Sequence, residues 1–287
     1  MPELPEVETI RRLLAPVVEG RHLRRVAISD PRLTRPHDPD DVARELEGEQ
    51  VVRLDRRGKY LVVRLSSGRA LVIHLRMTGS LRVVPAGTLP DDPHRRAVVS
   101  LDDGSDVAYR DVRRFGTWTL LEPGEVDEYL DGRLGAEPLA DAYRAQDLAR
   151  RLAGRRAPVK AALLDQRTVA GIGNIYADEA LWRARIHPLR EAGELDAGEV
   201  RALHRAVRRA LELGIARGGS SLRDYTQPNG ASGSMQREFA VYGREGEPCD
   251  RCGTPIERIR VAGRGSWYCP SCQSARPGRT AKPRAAR

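Results

Sequence analysis

The stretch YLVVRLSSGRALVIHL, residues 60–75, decides the fold class. Two β-branched and aliphatic runs, Tyr60–Leu65 and Ala70–Leu75, flank Ser66-Ser67-Gly68, which reads as a β-hairpin. Working outward, Val98–Leu101 and Val107–Tyr109 flank Asp102-Asp103-Gly104 as a second hairpin, and Trp118–Leu121 adds another strand. Several short antiparallel strands predict a sandwich or flattened barrel. Upstream, Leu4, Val7, Ile10, Leu13, Leu14 and Val17 recur with a helical period. Glu3, Glu6 and Glu8 come early in that segment and Arg11 and Arg12 late, which complements a helix dipole. Residues 1–130 are therefore expected to form a β-sandwich with a leading helix.

Downstream the pattern changes. Residues 122–146 are rich in Gly, Pro and acid, as a linker would be, and 131–146 is taken as its extent. Helical periods follow over Leu148–Leu152, Pro158–Leu164, Asn174–Ile186 and Glu199–Leu213. Residues 217–235 carry two Gly/Ser clusters and read as a flexible loop, closing a helical domain over 147–235. A cysteine module over 236–273 and a basic, disordered tail over 274–287 complete an α+β multidomain chain. No internal repeat is present.

The chain has 287 residues, a formal charge of +9 and a pI near 9.8, which favours a polyanionic partner, nucleic acid first. Five of the positive charges lie in residues 276–287, so most of the excess is in the tail. Only Lys59, Lys160 and Lys282 are lysines among the 49 basic residues, which makes Lys59 above all worth attention. No run of about 18 apolar residues exists, and the opening MPELPE is neither a signal nor a transit sequence. A cytoplasmic protein without a membrane partner is expected.

Cys249-x2-Cys252-x16-Cys269-x2-Cys272 falls within the spacing of a four-thiolate zinc site. Four protein ligands leave no open position, so one structural Zn²⁺ is predicted. The segments Arg258–Val261 and Ser266–Tyr268 read as a hairpin with Arg264 near its tip, placed to enter a groove.

Met1 precedes Pro2, a small residue that permits removal of the initiator Met and exposure of a secondary amine. Such an amine has a pKa near ~8, far below that of a lysine, and its neutral form attacks carbonyl-like carbon. Glu3 and Glu6 would stand within a helical turn of it, suited to proton transfer. The same residues also suit an ordinary helix start, where Pro and Glu are common.

MPELPEVE at residues 1–8 resembles the N-terminal signature of the formamidopyrimidine-DNA glycosylase / endonuclease VIII family. The resemblance extends through Arg57-Gly58-Lys59-Tyr60-Leu61, His74-Leu75-Arg76-Met77-Thr78-Gly79, Arg113-Arg114-Phe115-Gly116 and Gly171-Ile172-Gly173-Asn174-Ile175-Tyr176 to the zinc module. It implies a β-sandwich, a helical domain with a helix–two-turns–helix element and a zinc finger, with DNA lying between the domains. It implies a monomeric bifunctional enzyme acting on double-stranded DNA that contains oxidised bases or abasic sites. The Pro2 amine would displace the base and form a Schiff base at C1′, and elimination would then cut the strand on both sides.

By the same resemblance, Pro2, Glu3 and Lys59 are catalytic and Arg264 grips phosphates around the flipped nucleotide. Asn174 opens a helix suited to phosphate, and His74 and Arg76 are further backbone contacts. Met77, Arg113 and Phe115 match the wedge that fills the hole left by an extruded base in the formamidopyrimidine branch. Ser220, Arg223 and Tyr242 would meet the extruded base. Oxidised purines, 8-oxoguanine and formamidopyrimidines, are the substrates implied. An oxidised-pyrimidine glycosylase of the endonuclease VIII kind and an inactive damage-binding protein are the competing readings.

Overall fold

A computed structural model describes residues 1–221 and 225–274. Arg223 and the tail from residue 275 lie outside the described residues. The chain forms two compact units that do not follow simple sequential boundaries. The first comprises Met1–Tyr143, Asp165–Gly173 and Leu211–Glu238, and the second Arg144–Leu164, Asn174–Ala210 and Phe239–Arg287. The expected division placed 165–173 and 211–235 wholly with the helical domain.

The first unit opens with α1 (Leu4–Val18), then β1 (Leu23–Ile28), α2 (Pro39–Leu46), β2 (Val51–Arg57), β3 (Tyr60–Leu65) and β4 (Ala70–His74). It continues with β5 (Ser80–Pro85), β6 (Arg95–Leu101), β7 (Ser105–Arg110), β8 (Thr117–Leu121) and α3 (Glu125–Asp131). Two antiparallel four-stranded sheets result, ordered β1-β6-β7-β5 and β2-β3-β4-β8. Their inner faces share one core with α1 and α2, built from residues such as Val7, Ile10, Leu61, Ile73, Val99 and Tyr109. This is the sandwich expected from the hairpins.

The run YLVVRL is apolar on successive positions because β3 is covered on both faces. Leu61 and Leu65 face the sandwich core, while Tyr60 and Val62 join Val126 and Leu130 of α3 in a second cluster. The segment 122–146 is therefore more than a linker. Gly124, at φ 88°, starts α3, and the i,i+4 pair Val126/Leu130 buries against the outer sheet face. Gly, Pro and acid content hid that pair.

The strands change sheets at two corners. β4 and β8 are neighbours in one sheet, and β5 and β7 are neighbours in the other. The connections Leu75–Gly79 and Asp111–Gly116 thus both cross from sheet to sheet.

The second unit contains α4 (Ala145–Leu152), α5 (Val159–Leu164), α6 (Asn174–Ala184) and most of α7 (Ala197–Ala216), then the hairpin β9 (Glu257–Val261) and β10 (Arg264–Tyr268). The turns between α5 and α6 are the two turns of the expected helix–two-turns–helix element. Gln166 braces them, accepting from the Gly171 N–H at 2.9 Å and donating to the Ile172 carbonyl at 2.8 Å. Among the described residues no helix is long and apolar enough to cross a membrane.

Candidate functional site

The first turn of α1 is buried and held by backbone. Pro2 is buried, and Glu3 and Glu6 are 3% and 2% exposed. Glu3 is the N-cap, and its carboxylate accepts from the Gly173 N–H at 2.8 Å. Glu6 accepts from the Glu3 N–H at 2.8 Å with one oxygen and from the Ser220 N–H at 2.8 Å with the other. The Leu4 N–H in turn donates to the Gly171 carbonyl at 3.0 Å.

Glycine is required at these approaches. A Cβ on Gly173 would lie 2.3 Å from Glu3 Cδ, one on Gly171 2.6 Å from Leu4 Cδ1, and one on Gly219 2.8 Å from Glu6 Cγ. The structure thus brings Pro2, Glu3, Glu6 and Ser220 together. Glu6 acts as a strut, the structural half of its expected role. Met1, which precedes Pro2, is 42% exposed.

Lys59 sits in the β2–β3 turn and is 5% exposed. Gly58, at φ 57°, donates its N–H to Glu137, which also pairs with Arg56 at 3.0 Å. Arg56 continues to Glu8 at 3.1 Å, so the Lys59 turn is lashed to α1. Glu8 is held down at about 2, because hydrogen bonds and charge from Arg11, Arg12 and Arg56 outweigh its burial.

His74, opposite Tyr60 in the β3–β4 ladder, packs edge-on against that ring at 4.5 Å. Its Nδ1 accepts from the Arg76 N–H at 2.9 Å. Burial, and then the charges of Arg76 and Lys59, push it down to about 3. His74 is therefore neutral, with its proton on Nε2 as a donor. It can serve a phosphate by hydrogen bond but not by charge.

The two sheet-switching corners carry the wedge candidates. Met77 is half-buried on the first; Arg113 and Phe115, the latter 51% exposed, stand on the second. The Arg113 guanidinium lies 4.7 Å from the Phe115 ring centroid. One buried carboxylate organises both corners. Asp111 accepts from Thr78 Oγ1 on the first corner, from the Arg113 N–H at 3.2 Å and from the Gly116 N–H at 2.8 Å. Thr78 Oγ1 also accepts from the Arg113 N–H at 3.0 Å. Arg114, at φ 57°, turns away from the wedge and forms a bidentate pair with Asp30 at 2.6 and 2.7 Å. Asp111 was not anticipated. Only its place two residues before Arg113 in a turn hinted at an Asx-type role.

The 217–235 segment is not a free loop at its ends. Ser234 N–H donates to the Arg217 carbonyl at 2.8 Å, Met235 N–H to the Gly219 carbonyl at 3.0 Å, and Gly233 N–H to Ser221 Oγ at 3.0 Å. Its glycines serve close packing: a Cβ on Gly233 would lie 2.1 Å from the Gly219 carbonyl oxygen. Tyr242, grouped with this loop from sequence, belongs to the second unit. Its ring packs on Phe239 and Trp267 at 5.5 and 4.6 Å. Arg223 is outside the described residues.

In the second unit, Arg264 is exposed and follows the Ala262-Gly263 turn, as expected of a hairpin tip. The next residue is clamped: the Gly265 carbonyl accepts from Lys160 Nζ at 2.8 Å and from Asn174 Nδ2 at 3.0 Å. Lys160 is fully buried and pairs with Asp178 at 2.8 Å. Asp178 also accepts from Ser266 Oγ at 2.9 Å and the Trp267 N–H at 3.2 Å. Burial pushes Asp178 up to about 6 despite Lys160. Asn174 thus spends its amide on the hairpin. The adjacent Glu179, also buried, accepts from the N–H groups of Ala240, Val241 and Tyr242 at 3.0–3.1 Å. Asp178 and Glu179 were missed because sequence does not distinguish buried acids from solvated ones.

The four cysteines converge with their sulfurs within 4.8 Å of one another. Separations of 3.5 Å for Cys252–Cys269 and Cys252–Cys272, and 4.0 Å for Cys249–Cys272, match the roughly 3.8 Å edge of a tetrahedron with ~2.3 Å Zn–S bonds. The donor set fits a structural zinc.

Residues 1–118, 134–226 and 246–275 match, in turn, the formamidopyrimidine-DNA glycosylase N-terminal domain, the formamidopyrimidine-DNA glycosylase H2TH domain, and the zinc finger found in FPG and IleRS. The chain is 49% identical to the formamidopyrimidine-DNA glycosylase of Symbiobacterium thermophilum, over all of this chain and 94% of that protein. Lactococcus lactis FPG in complex with Fapy-dG-containing DNA superposes with a TM-score of 0.88 at 37% identity, covering 95% of this chain and all of that one. The same protein in complex with abasic-site DNA superposes at 0.89 with 38% identity and the same coverage.

Proposed function

Since the chain belongs to the formamidopyrimidine-DNA glycosylase family, we propose that it is a bifunctional base-excision enzyme acting on double-stranded DNA with oxidised purines or abasic sites. The observation that carries this reading is the buried start of α1, where Glu3 directly follows Pro2 and is fixed by the Gly173 N–H.

Removal of Met1 frees the Pro2 secondary amine. Its lone pair attacks C1′ of the damaged nucleoside as the C1′–N bond breaks and the base leaves with a proton. Ring opening gives an iminium, which acidifies the C2′ proton. Loss of that proton expels the 3′ phosphate, a second elimination expels the 5′ phosphate, and hydrolysis releases the amine. Glu3 carries protons through these steps, and buried Lys59 stands as a cationic partner for phosphate or base. Uncharged His74 donates from Nε2, and Arg76 and Arg264 supply charge to the backbone.

Met77 and Phe115 would fill the space vacated by the flipped nucleotide while Arg113 reads the opposite base. This wedge favours 8-oxoguanine and formamidopyrimidines over oxidised pyrimidines. Ser220 lies beside Glu6 at the edge of the same site. We place the enzyme in the cytoplasm, at the bacterial nucleoid, as a monomer with one structural zinc.

Borohydride reduction on an 8-oxoguanine duplex tests the reading. A covalent adduct at Pro2 is expected; no adduct, or one at a lysine, overturns the mechanism. Comparing excision of 8-oxoguanine with that of thymine glycol decides the substrate class.

A further inference from the structure

The zinc site makes an unusual connection to the helix beside it. Trp182, in the last turn of α6 and 7% exposed, directs its indole N–H at Cys249 Sγ, 3.4 Å away. Arg251, which directly precedes Cys252 in that knuckle, returns the contact. Its guanidinium lies 3.6 Å from the Trp182 ring centroid and donates to the carbonyls of Trp182 at 2.6 Å and Arg183 at 3.3 Å. A cation is thus placed on carbonyls of the last turn of α6. Cys249 is 3% exposed, whereas Cys252 is exposed and Cys272 half-buried.

Zinc bound by four thiolates carries a net −2 charge, and that excess resides on sulfur. An N–H donor to one sulfur stabilises its charge and lowers its nucleophilicity. Donors of this kind outside the ligand set control metal retention. We propose that Trp182 is a positioning residue of the zinc site: its indole N–H fixes Cys249 as the anchored thiolate and ties zinc retention to helix α6. Cys252 is exposed where Cys249 is buried, so Cys252 is the more accessible of the two knuckle sulfurs to an electrophile.

The direct test uses the full-length protein with its zinc replaced by ¹¹³Cd. Scalar coupling across the N–H···S–Cd path is expected between the metal and one indole Hε1, assigned to Trp182 by through-space contacts to Cys249 and Arg251. Coupling to no indole proton overturns the proposal. Trp182→Phe keeps an aromatic ring beneath Arg251 and removes the donor. Zinc release to excess chelator should then quicken by roughly ten-fold. Alkylation of Cys249, mapped by mass spectrometry, should accelerate while that of Cys252 is unchanged. Unaltered release and unaltered Cys249 alkylation would show that Trp182 only packs. If Trp182→Phe does not fold, the cadmium coupling of the wild-type protein decides alone.

Discussion

The start of α1 and the two sheet-switching corners solve opposite problems within one unit. At the start of α1 the functional side chains themselves are buried, and backbone N–H groups from residues 3, 173 and 220 hold the Glu3 and Glu6 carboxylates. At the corners Arg113 and Phe115 are exposed and Met77 is half-buried, and the loops beneath them are fixed by Asp111 and Thr78. Under the proposed function, proton transfer by Glu3 needs a defined geometry before substrate arrives, which direct immobilisation supplies. Under the same proposal, a wedge formed by Met77, Arg113 and Phe115 must enter a duplex, which mobile tips on a rigid base would allow.

If that contrast is right, backbone changes at the first region should be more damaging than any change of comparable size at the second. Gly173→Ala sets a Cβ 2.3 Å from Glu3 Cδ. Single-turnover excision should fall by about two orders of magnitude or more, as for Glu3→Gln, the range expected when acid–base catalysis is lost. Near-wild-type excision by Gly173→Ala would break the comparison. The four cysteines of the zinc site lie in the second unit, so zinc removal should act there first. It should abolish DNA binding in a gel-shift assay and leave the near-ultraviolet signal of buried Trp118, in the sandwich core, intact. Loss of that signal would mean that the sandwich does not stand by itself.

Thr78→Val removes one hydroxyl that bridges Asp111 and the Arg113 N–H, at a stability cost of about 1–3 kcal/mol. The wedge tips lose their common base, so KM on a lesion duplex should rise by roughly ten-fold, the equivalent of ~1.4 kcal/mol. Cleavage of a single-stranded abasic oligonucleotide, which has no hole to fill, should be unchanged. Equal losses on both substrates would place Thr78 with the buried region instead.

The smallest effect concerns pH. His74 is held at about 3 in the fold against about 6.5 when unfolded. Above about pH 6.5 both states are neutral and the difference contributes nothing. As pH falls from there toward 3, the unfolded chain binds a proton that the folded chain does not, so stability declines. His74→Asn keeps an acceptor for the Arg76 N–H and should flatten part of the melting-temperature decline between pH 6.5 and 4.

These two regions also mark how far the sequence could be read. Strong periods and spacings survived intact: α1, the β3–β4 hairpin, the four cysteines and the Arg264 hairpin are where their residues put them. What escaped lacked a local signature. β1 exposes Arg24 and Arg25 together, β2 is interrupted by a register shift between Val51 and Arg53, and β5 ends in a proline on a sheet edge. None shows clean alternation over its length. The acids that organise the candidate site, Asp111, Glu137, Asp178 and Glu179, carry no mark of burial in a chain with 40 Asp and Glu residues. The glycines of 217–235 read as freedom, because composition does not reveal that Glu6 and Gly233 approach them closely.

The shared strut beneath the two corners has a kinetic meaning. Asp111 and Thr78 join the Met77 turn to the Arg113–Phe115 turn at the two adjacent sheet-switching corners. Two independent loops would enter a base stack in separate stages, each with its own rate. Two turns pinned to one carboxylate move as one body. A fluorescent base analogue placed opposite a lesion should therefore report a single concerted phase on mixing, and Thr78→Val should split it in two.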